Sequence, residues 1–254
     1  MNELLRIDIR RRTGNQTIIF GIPETDEEIQ EMFKVRYKAY LNKGHINGNG
    51  LGLDEDHFDV NKLCHYFIAV EGKDRKIIGS TRMIFGSVLP TLDEYFELEL
   101  PEAINAVSRG KIVEIGRLSS LPRDTGLDVP RHLVLLGLFL VMFKFAKERG
   151  YLLAIGSLKD YVKRKLDIIK FPLHIIKNHK LIYNPKEHND PLVNFFKEDQ
   201  GKVWPVYCTP TEIEKYLNSI FYNKKYFKMI NDSHLELKGN WRFKIALVVK
   251  SIIS

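Results

Sequence analysis

The sequence predicts an α/β protein with a mixed, mostly antiparallel central sheet flanked by helices. Three observations carry this expectation. Short β-forming stretches and helical ones follow the order strands, helix, hairpin, strand, long helix, strand, helix, strand, which is not a regular βαβ wind. The run Leu133 to Phe143 is apolar on every side and too short to span a bilayer, so it reads as a buried helix. The stretch Lys111-Ile112-Val113-Glu114-Ile115-Gly116-Arg117-Leu118-Ser119 is rich in β-formers, yet holds a carboxylate, a glycine and a guanidinium within four positions. A glycine inside a strand often marks a bulge. One extra residue near Gly116 would bring Glu114 and Arg117, which strict alternation separates, to the same side.

The elements follow in order. Leu5 to Ile9 alternates as a strand, and Gln16 to Ile22 is a second, with Gly14-Asn15 between them. Pro23-Glu24-Thr25-Asp26-Glu27-Glu28 opens a helix with acids in its first turn, where the helix dipole favours them. Ile29, Phe33, Arg36 and Tyr40 share one face of that helix, so Arg36 sits in an apolar stripe and needs a carboxylate partner. Lys43 to Leu53, with four glycines and two asparagines, is a loop. It leads into the acidic cluster Asp54-Glu55-Asp56-His57-Phe58-Asp59, which lacks the spacing of an EF-hand. Asp54 and Glu55 read as solvated acids, Asp56 and Asp59 as partners of buried arginines.

His65–Val70 and Ile77–Phe85 form a hairpin turned at residues 71–75, and Arg82 is another arginine embedded in apolar sequence. His65, near a strand start, reads as a structural histidine rather than a base. Glu114 would join the two aspartates in neutralising three arginines. Pro90 to Val107 reads as a short acidic helix and loop. Beyond the strand at 111–119 come a helix from about Arg131 to Arg149, a strand at 151–157, a basic amphipathic helix at 159–170, a strand at Val203–Cys208 and a helix from about Thr211 to Phe221. Trp241 to Ile252 is amphipathic and would dock on the protein or graze a membrane.

With 254 residues, 44% of them hydrophobic, the chain is taken as a single domain over 1–254, with a C-terminal extension at about 222–254. Cys64 and Cys208 lie in apolar surroundings without metal-ligand spacing, which suits reduced thiols and a cytoplasmic protein. No secretory pattern opens the chain. The net charge of +7 implies an anionic partner, and between Lys159 and Lys180 seven Lys or Arg face only Asp160 and Asp167.

Four pieces now line up: Val35-Arg36-Tyr37-Lys38-Ala39-Tyr40, Asp56-His57-Phe58-Asp59, Gly79-Ser80-Thr81-Arg82 and Glu114-Ile115-Gly116-Arg117. In this order the chain resembles the acyl-homoserine-lactone (autoinducer) synthases and the long-chain N-acyl amino acid synthases, over about residues 30–160. The resemblance implies the GNAT-type acyltransferase fold, with a bulged, splayed central strand. It also implies that Arg36, Asp56, Asp59, Arg82, Glu114 and Arg117 form a charged core. Autoinducer synthases usually have serine where this chain has Gly116, and a tryptophan-bearing segment where this chain has loop 42–53. These departures favour the amino acid synthase branch.

The expected reaction is transfer of a fatty acyl group from a thioester to the amine of an amino acid, with Glu114 as the base. Leu118, Ser119, Ser120, Arg123, Gly126 and Arg131 would line the thioester and its phosphopantetheine arm. The acyl chain would enter an apolar tunnel lined from Leu133–Phe145 and Leu152–Leu158. Asp128, at the start of the long helix, would repel the pyrophosphate of coenzyme A, which favours acyl carrier protein as donor, though acyl-CoA stays open. A basic set of Arg131, Lys144, Lys147, Arg149, Lys159, Lys163 and Arg164 would receive that acidic carrier. No tightly bound cofactor, metal or nucleic acid is expected. The alternatives are an acyl-homoserine-lactone synthase using S-adenosylmethionine, and a non-catalytic binding module for an anionic partner.

Overall fold

The computed structural model describes residues 1–10, 14–72, 74–121, 131–183, 194–197 and 202–238. Strands β1 (Asn2–Ile9) and β2 (Gln16–Ile22) pair antiparallel. Helix α1 (Asp26–Leu41) starts at Thr25, whose hydroxyl accepts the Glu28 N–H, and three acids fill its first turn. A single turn, α2 (His57–Val60), precedes the hairpin of β3 (Cys64–Glu71) and β4 (Lys76–Ile84). A π-helical turn at Thr91–Tyr95, β5 (Phe96–Leu98), α3 (Glu102–Asn105) and a 3₁₀ turn at Arg109–Lys111 lead to β6 (Ile112–Ser120). Then come α4 (Arg131–Glu148), β7 (Leu153–Lys159), α5 (Asp160–Ile168), β8 (His174–Ile175), β9 (His179–Leu181), β10 (Val203–Cys208) and α6 (Pro210–Phe221). The last described pair is β11 (Phe227–Asn231) and β12 (His234–Leu237).

Ten of the described strands form one sheet in the order β11-β12-β1-β2-β3-β4-β6-β7-β10-β8, while β5 and β9 pair separately. Only β1–β12 and β6–β7 are parallel among the described pairs. The stretch 90–107, expected as helix and loop, is instead broken into short pieces, one of which pairs with β9. Within the expected C-terminal extension, β11 and β12 add to the main sheet beside β1. Residues 241–252, with the expected membrane-grazing helix, lie outside the described residues. Among those residues, no helix is long and apolar enough to cross a membrane.

Alternation assigns the two faces of the sheet. Phe67, Ala69, Met83 and Val113 join α4 and α6 in the largest core cluster. Ile68, Val70 and Ile77 point the other way and pack with Met32, Phe33 and Val35 of α1. Helix α4 buries Leu133, Val134 and Leu138 to Phe143, as its apolar sequence demands.

The site is set by how β6 and β7 meet. They pair only at Ile112–Leu153, Val113–Ala154 and Glu114–Ile155. Beyond Ile155, β7 stays paired with β10 as far as Lys159, while β6 stays with β4. The two central strands therefore part after Glu114.

Candidate active site

The charged core is assembled from four elements. Helix α1 supplies Arg36, the loop entering α2 together with α2 itself supplies Asp54, Asp56 and Asp59, β4 supplies Arg82 and β6 supplies Arg117. Arg36 holds both oxygens of Asp59, at 3.3 and 2.9 Å, and its Nε donates to Asp54 at 3.3 Å. Arg82 forks onto Asp56 at 2.7 and 2.5 Å and approaches Asp59 at 2.7 Å. Arg117 donates to Asp56 at 2.9 Å and lies 3.7 Å from Asp54. Each guanidinium also faces an aromatic ring: Phe33, Phe58 and Tyr40 respectively. Among the described residues three cations thus meet three anions in a buried site, where removing one member leaves a buried charge and costs roughly 3–5 kcal/mol.

The spacing of Asp56 and Asp59 has a local cause. Asp56 caps α2, accepting the N–H groups of Phe58 and Asp59, and Asp59 accepts the Asp56 N–H in return. This reciprocal cap fixes both carboxylates before either meets an arginine. Burial opposes their ionisation, but Arg82 and Arg117 hold Asp56 well below the usual carboxylate range. Burial is likewise outweighed at Asp59, which Arg36 and Arg82 bring down to about 2.

Two expectations about acids need correction. Asp54 is not solvated: it is 0% exposed and pairs with Arg36 and Arg117. It lies two residues before Asp56 in extended chain, so both acids face the same way, a period-two signal that was present in the sequence. Glu114 is not the third counter-ion. It is buried and accepts the Thr91 N–H and the Thr91 hydroxyl, both at 2.7 Å. Burial raises its pKa to about 7, against the pull of those two hydrogen bonds and of Arg82.

The expected bulge near Gly116 is present. Ser119 pairs with Ser80 and Gly116 with Arg82, so Arg117 and Leu118 together face Thr81. Arg117 takes the unusual conformation, with φ +54°. Gly116 has a negative or extended φ, and a Cβ added there would meet nothing within 4 Å. The extra residue puts Arg117 on the face of Glu114 and Arg82, and turns Leu118 towards the other core cluster.

The opposite face of the parted strands opens onto a small apolar cavity of about 50 Å³. Ile115, Phe139, Phe143, Gly156, Leu158 and Cys208 are among its walls. The expected stretches 133–145 and 152–158 contribute, but so do α5, the segment after it and β10, which pattern reading left out. Ser157, between Gly156 and Leu158, faces the charged side and hydrogen-bonds to the Thr91 hydroxyl at 2.8 Å. Thr91 and Ser157 had no mark in the sequence.

Other expected residues are dispersed. Ser119 is buried against the Ser80 hydroxyl at 2.9 Å, and the Leu118 carbonyl accepts the Tyr40 hydroxyl at 3.3 Å. Ser120 pairs with Gly79 at the end of β6 and is half-buried. Arg123 and Gly126 lie outside the described residues, as does the side chain of Arg131. Lys159 is only 1% exposed and its ammonium sits 5.1 Å from the centre of the Phe195 ring, so it belongs to the interior and not to a basic surface. Lys147 and Arg149 lie at the far end of α4, whose 18 residues span roughly 27 Å, near the closed end of the β6–β7 pair. Lys163 is engaged with Asp167 and Arg164 with Asp160 on α5, which follows the parted end of β7. His65 stacks on Phe85 and packs edge-on to Phe145, outside the charged core.

The comparisons with known proteins agree with this arrangement. A family model described as N-acyl amino acid synthase FeeM matches residues 31–155, the stretch that carries the six charged residues and Glu114. No curated protein matches the chain in sequence. Among solved structures, the CoA-dependent acyl-homoserine lactone synthase MesI is similar at 16% identity and a TM-score of 0.52, covering 82% of this chain and 91% of its own. BjaI, a synthase of the same description solved with SAM and isopentyl-CoA, gives 13% and 0.54, covering 89% and 92%. The acyl-homoserine lactone synthase LasI gives 12% and 0.54, covering 80% and 94%.

A bulged central strand and a parallel neighbour that parts from it, with the buried carboxyl of Glu114 at the parting, are the layout of the GNAT-type fold. The chain is similar in fold to the acyl-homoserine lactone synthases over most of its length, and to the N-acyl amino acid synthase family model over residues 31–155.

Proposed function

We propose that this enzyme transfers a long-chain fatty acyl group from the thioester of acyl carrier protein to the amine of an amino acid. One observation carries the reading: Glu114, with a pKa near 7, lies where β6 and β7 part, with the charged core on its side and an apolar cavity on the other. The thioester lies in the opening, its acyl chain in the cavity and the acceptor amine on the charged face. The amine is largely protonated at neutral pH, and Glu114 takes its proton. The amine nitrogen then forms a bond to the thioester carbon, the C–S bond breaks, and the pantetheine leaves as its thiol.

After Glu114, β6 has no ladder partner on β7, which leaves strand N–H groups on the edge of the opening to receive the developing oxyanion. One such donor is worth about 3 kcal/mol in the transition state. Arg36 and Arg82 keep a structural role, tied to the aspartates on both edges. Arg117 alone stands on the bulge, where it can reach an acceptor carboxylate. Of the basic residues, Arg164 and Lys165 are exposed on α5 beside the parted end of β7 and suit the acidic carrier.

The test is product analysis. The purified protein is incubated with palmitoyl acyl carrier protein or palmitoyl-CoA, the twenty amino acids and S-adenosylmethionine, and the products are weighed by mass spectrometry. An N-palmitoyl amino acid formed faster from the carrier supports the proposal. An N-acyl homoserine lactone would replace the acceptor, and faster turnover of palmitoyl-CoA would replace the donor.

A further inference from the structure

Glu114 is buried, and both of its carboxylate oxygens are occupied by Thr91. A substrate amine in the opening between β6 and β7 therefore does not meet the carboxylate directly. What borders the opening on this face is Ser157, two residues beyond the last β6–β7 pair and half-buried. Its hydroxyl lies 2.8 Å from that of Thr91, which lies 2.7 Å from Glu114. Three side chains from β7, the π-helical turn and β6 make one continuous hydrogen-bonded line.

We propose that the hydroxyls of Ser157 and Thr91 form a two-step proton relay between the acceptor amine and Glu114, an inference that rests on the acyl-transfer reading of this site.

The direction of the line follows from hydrogen-bond capacity. An ionised carboxylate only accepts, so Thr91 must donate to it. The Thr91 oxygen is then left as the acceptor for Ser157, whose own lone pairs face the opening. When an ammonium binds there, Ser157 takes its proton, passes its own to Thr91, and Thr91 passes its own to Glu114. Both hydroxyls end neutral and reversed, Glu114 ends as the acid, and the amine is free to attack. As the amide forms, the nitrogen gives its second proton to the departing sulfur, which leaves as the thiol, and the proton held on Glu114 is released to solvent back along the same line once product has gone. No charge is left on either hydroxyl, which suits a site from which water is largely excluded. The charged groups that act on Glu114 are Arg82 on β4 and Glu94 on the π-helical turn. Thr91 and Ser157 are the hydroxyls in hydrogen-bonded line with it.

The relay makes Thr91 a positioning residue, and the line can be read without turnover. In ²H₂O near pH 5, Glu114 is protonated and its carboxyl C=O stretch shifts as the proton exchanges; Glu114→Gln identifies the band. In S157A and T91V the Thr91 N–H still holds the carboxyl, so the band stays. Its exchange should slow by about tenfold or more, with S157T and T91S restoring it. Exchange as fast in S157A as in wild type overturns the relay whatever the enzyme acylates. A parallel assay with palmitoyl acyl carrier protein and the amino acid mixture should show S157A lowering kcat by roughly 100-fold with little change in KM. Wild-type protein that makes no N-acyl product in that assay overturns the acyl-transfer reading, and the exchange rates still decide the line.

Discussion

Arg117 and Glu114 stand three residues apart on one strand and face the same side of the sheet. The relation depends on a single backbone distortion, Arg117 at φ +54°. It brings a guanidinium that pairs with Asp56 next to a carboxyl that pairs with none of the described arginines. One strand thereby carries a permanently charged group and a titrating one.

Glu114→Gln should abolish acyl transfer, with kcat lower by about 10²–10⁴-fold, while the fold persists. In the wild type, kcat/KM should rise with pH through about 7 and then level, because the base works only when ionised. A profile flat between pH 5.5 and 8 would remove Glu114 from the proton transfer.

The same group bears on stability, with the opposite sign. Folding raises the Glu114 pKa from 4.5 to about 7, so the folded state holds an extra proton between those values. Stability from this group is full below pH 4.5 and is lost as pH climbs through 7, by about 3 kcal/mol in all. Glu114→Gln, which never ionises, should therefore be more stable than wild type at pH 8 and close to it at pH 5. Urea denaturation at the two values checks the difference.

Arg117→Gly sets two effects against each other. Glycine relieves the left-handed strain, worth about 1–2 kcal/mol. It also leaves Asp54 and Asp56 short of a cation, which costs roughly 3–5 kcal/mol. The second effect is larger, and the variant should lose about 2 kcal/mol in urea unfolding. A gain in stability would mean that the Arg117 ion pairs contribute little.

Asp59→Asn should destabilise the protein at pH 7 and flatten its acid response. Asp59 titrates at about 2 in the folded state against 3.8 ordinarily, so its stabilisation is present above pH 3.8 and fades as pH falls towards 2. The slope of stability against pH in that window should shrink in the variant, as seen by circular dichroism.

The cavity offers a test of the acyl site. Phe143→Leu should shift products towards longer chains when mixed-length acyl carriers compete, at a stability cost of about 1 kcal/mol. Gly156→Ala should impair acyl transfer, since the new Cβ would come within 2.8 Å of the Ile115 carbonyl oxygen at the mouth of the opening. An unchanged product distribution in Phe143→Leu would place the chain elsewhere.

The sequence by itself determined the α/β class of this protein and its internal charged core. Arg36, Arg82 and Arg117 each sit in apolar stretches, and a buried guanidinium has to find an acid, so the need for Asp56 and Asp59 was legible locally. The bulge was legible too, because Glu114 and Arg117 have the wrong parity for one face. What the tertiary structure decided is which acid meets which base. Asp54 reaches Arg36 across 18 residues, Thr91 reaches Glu114 across 23, and Ser157 reaches Thr91 across 66. Such contacts depend on strand register and on where β6 and β7 part, and no local spacing encodes either. Glu114 keeps a titratable proton because that register buries it against Thr91 rather than against an arginine.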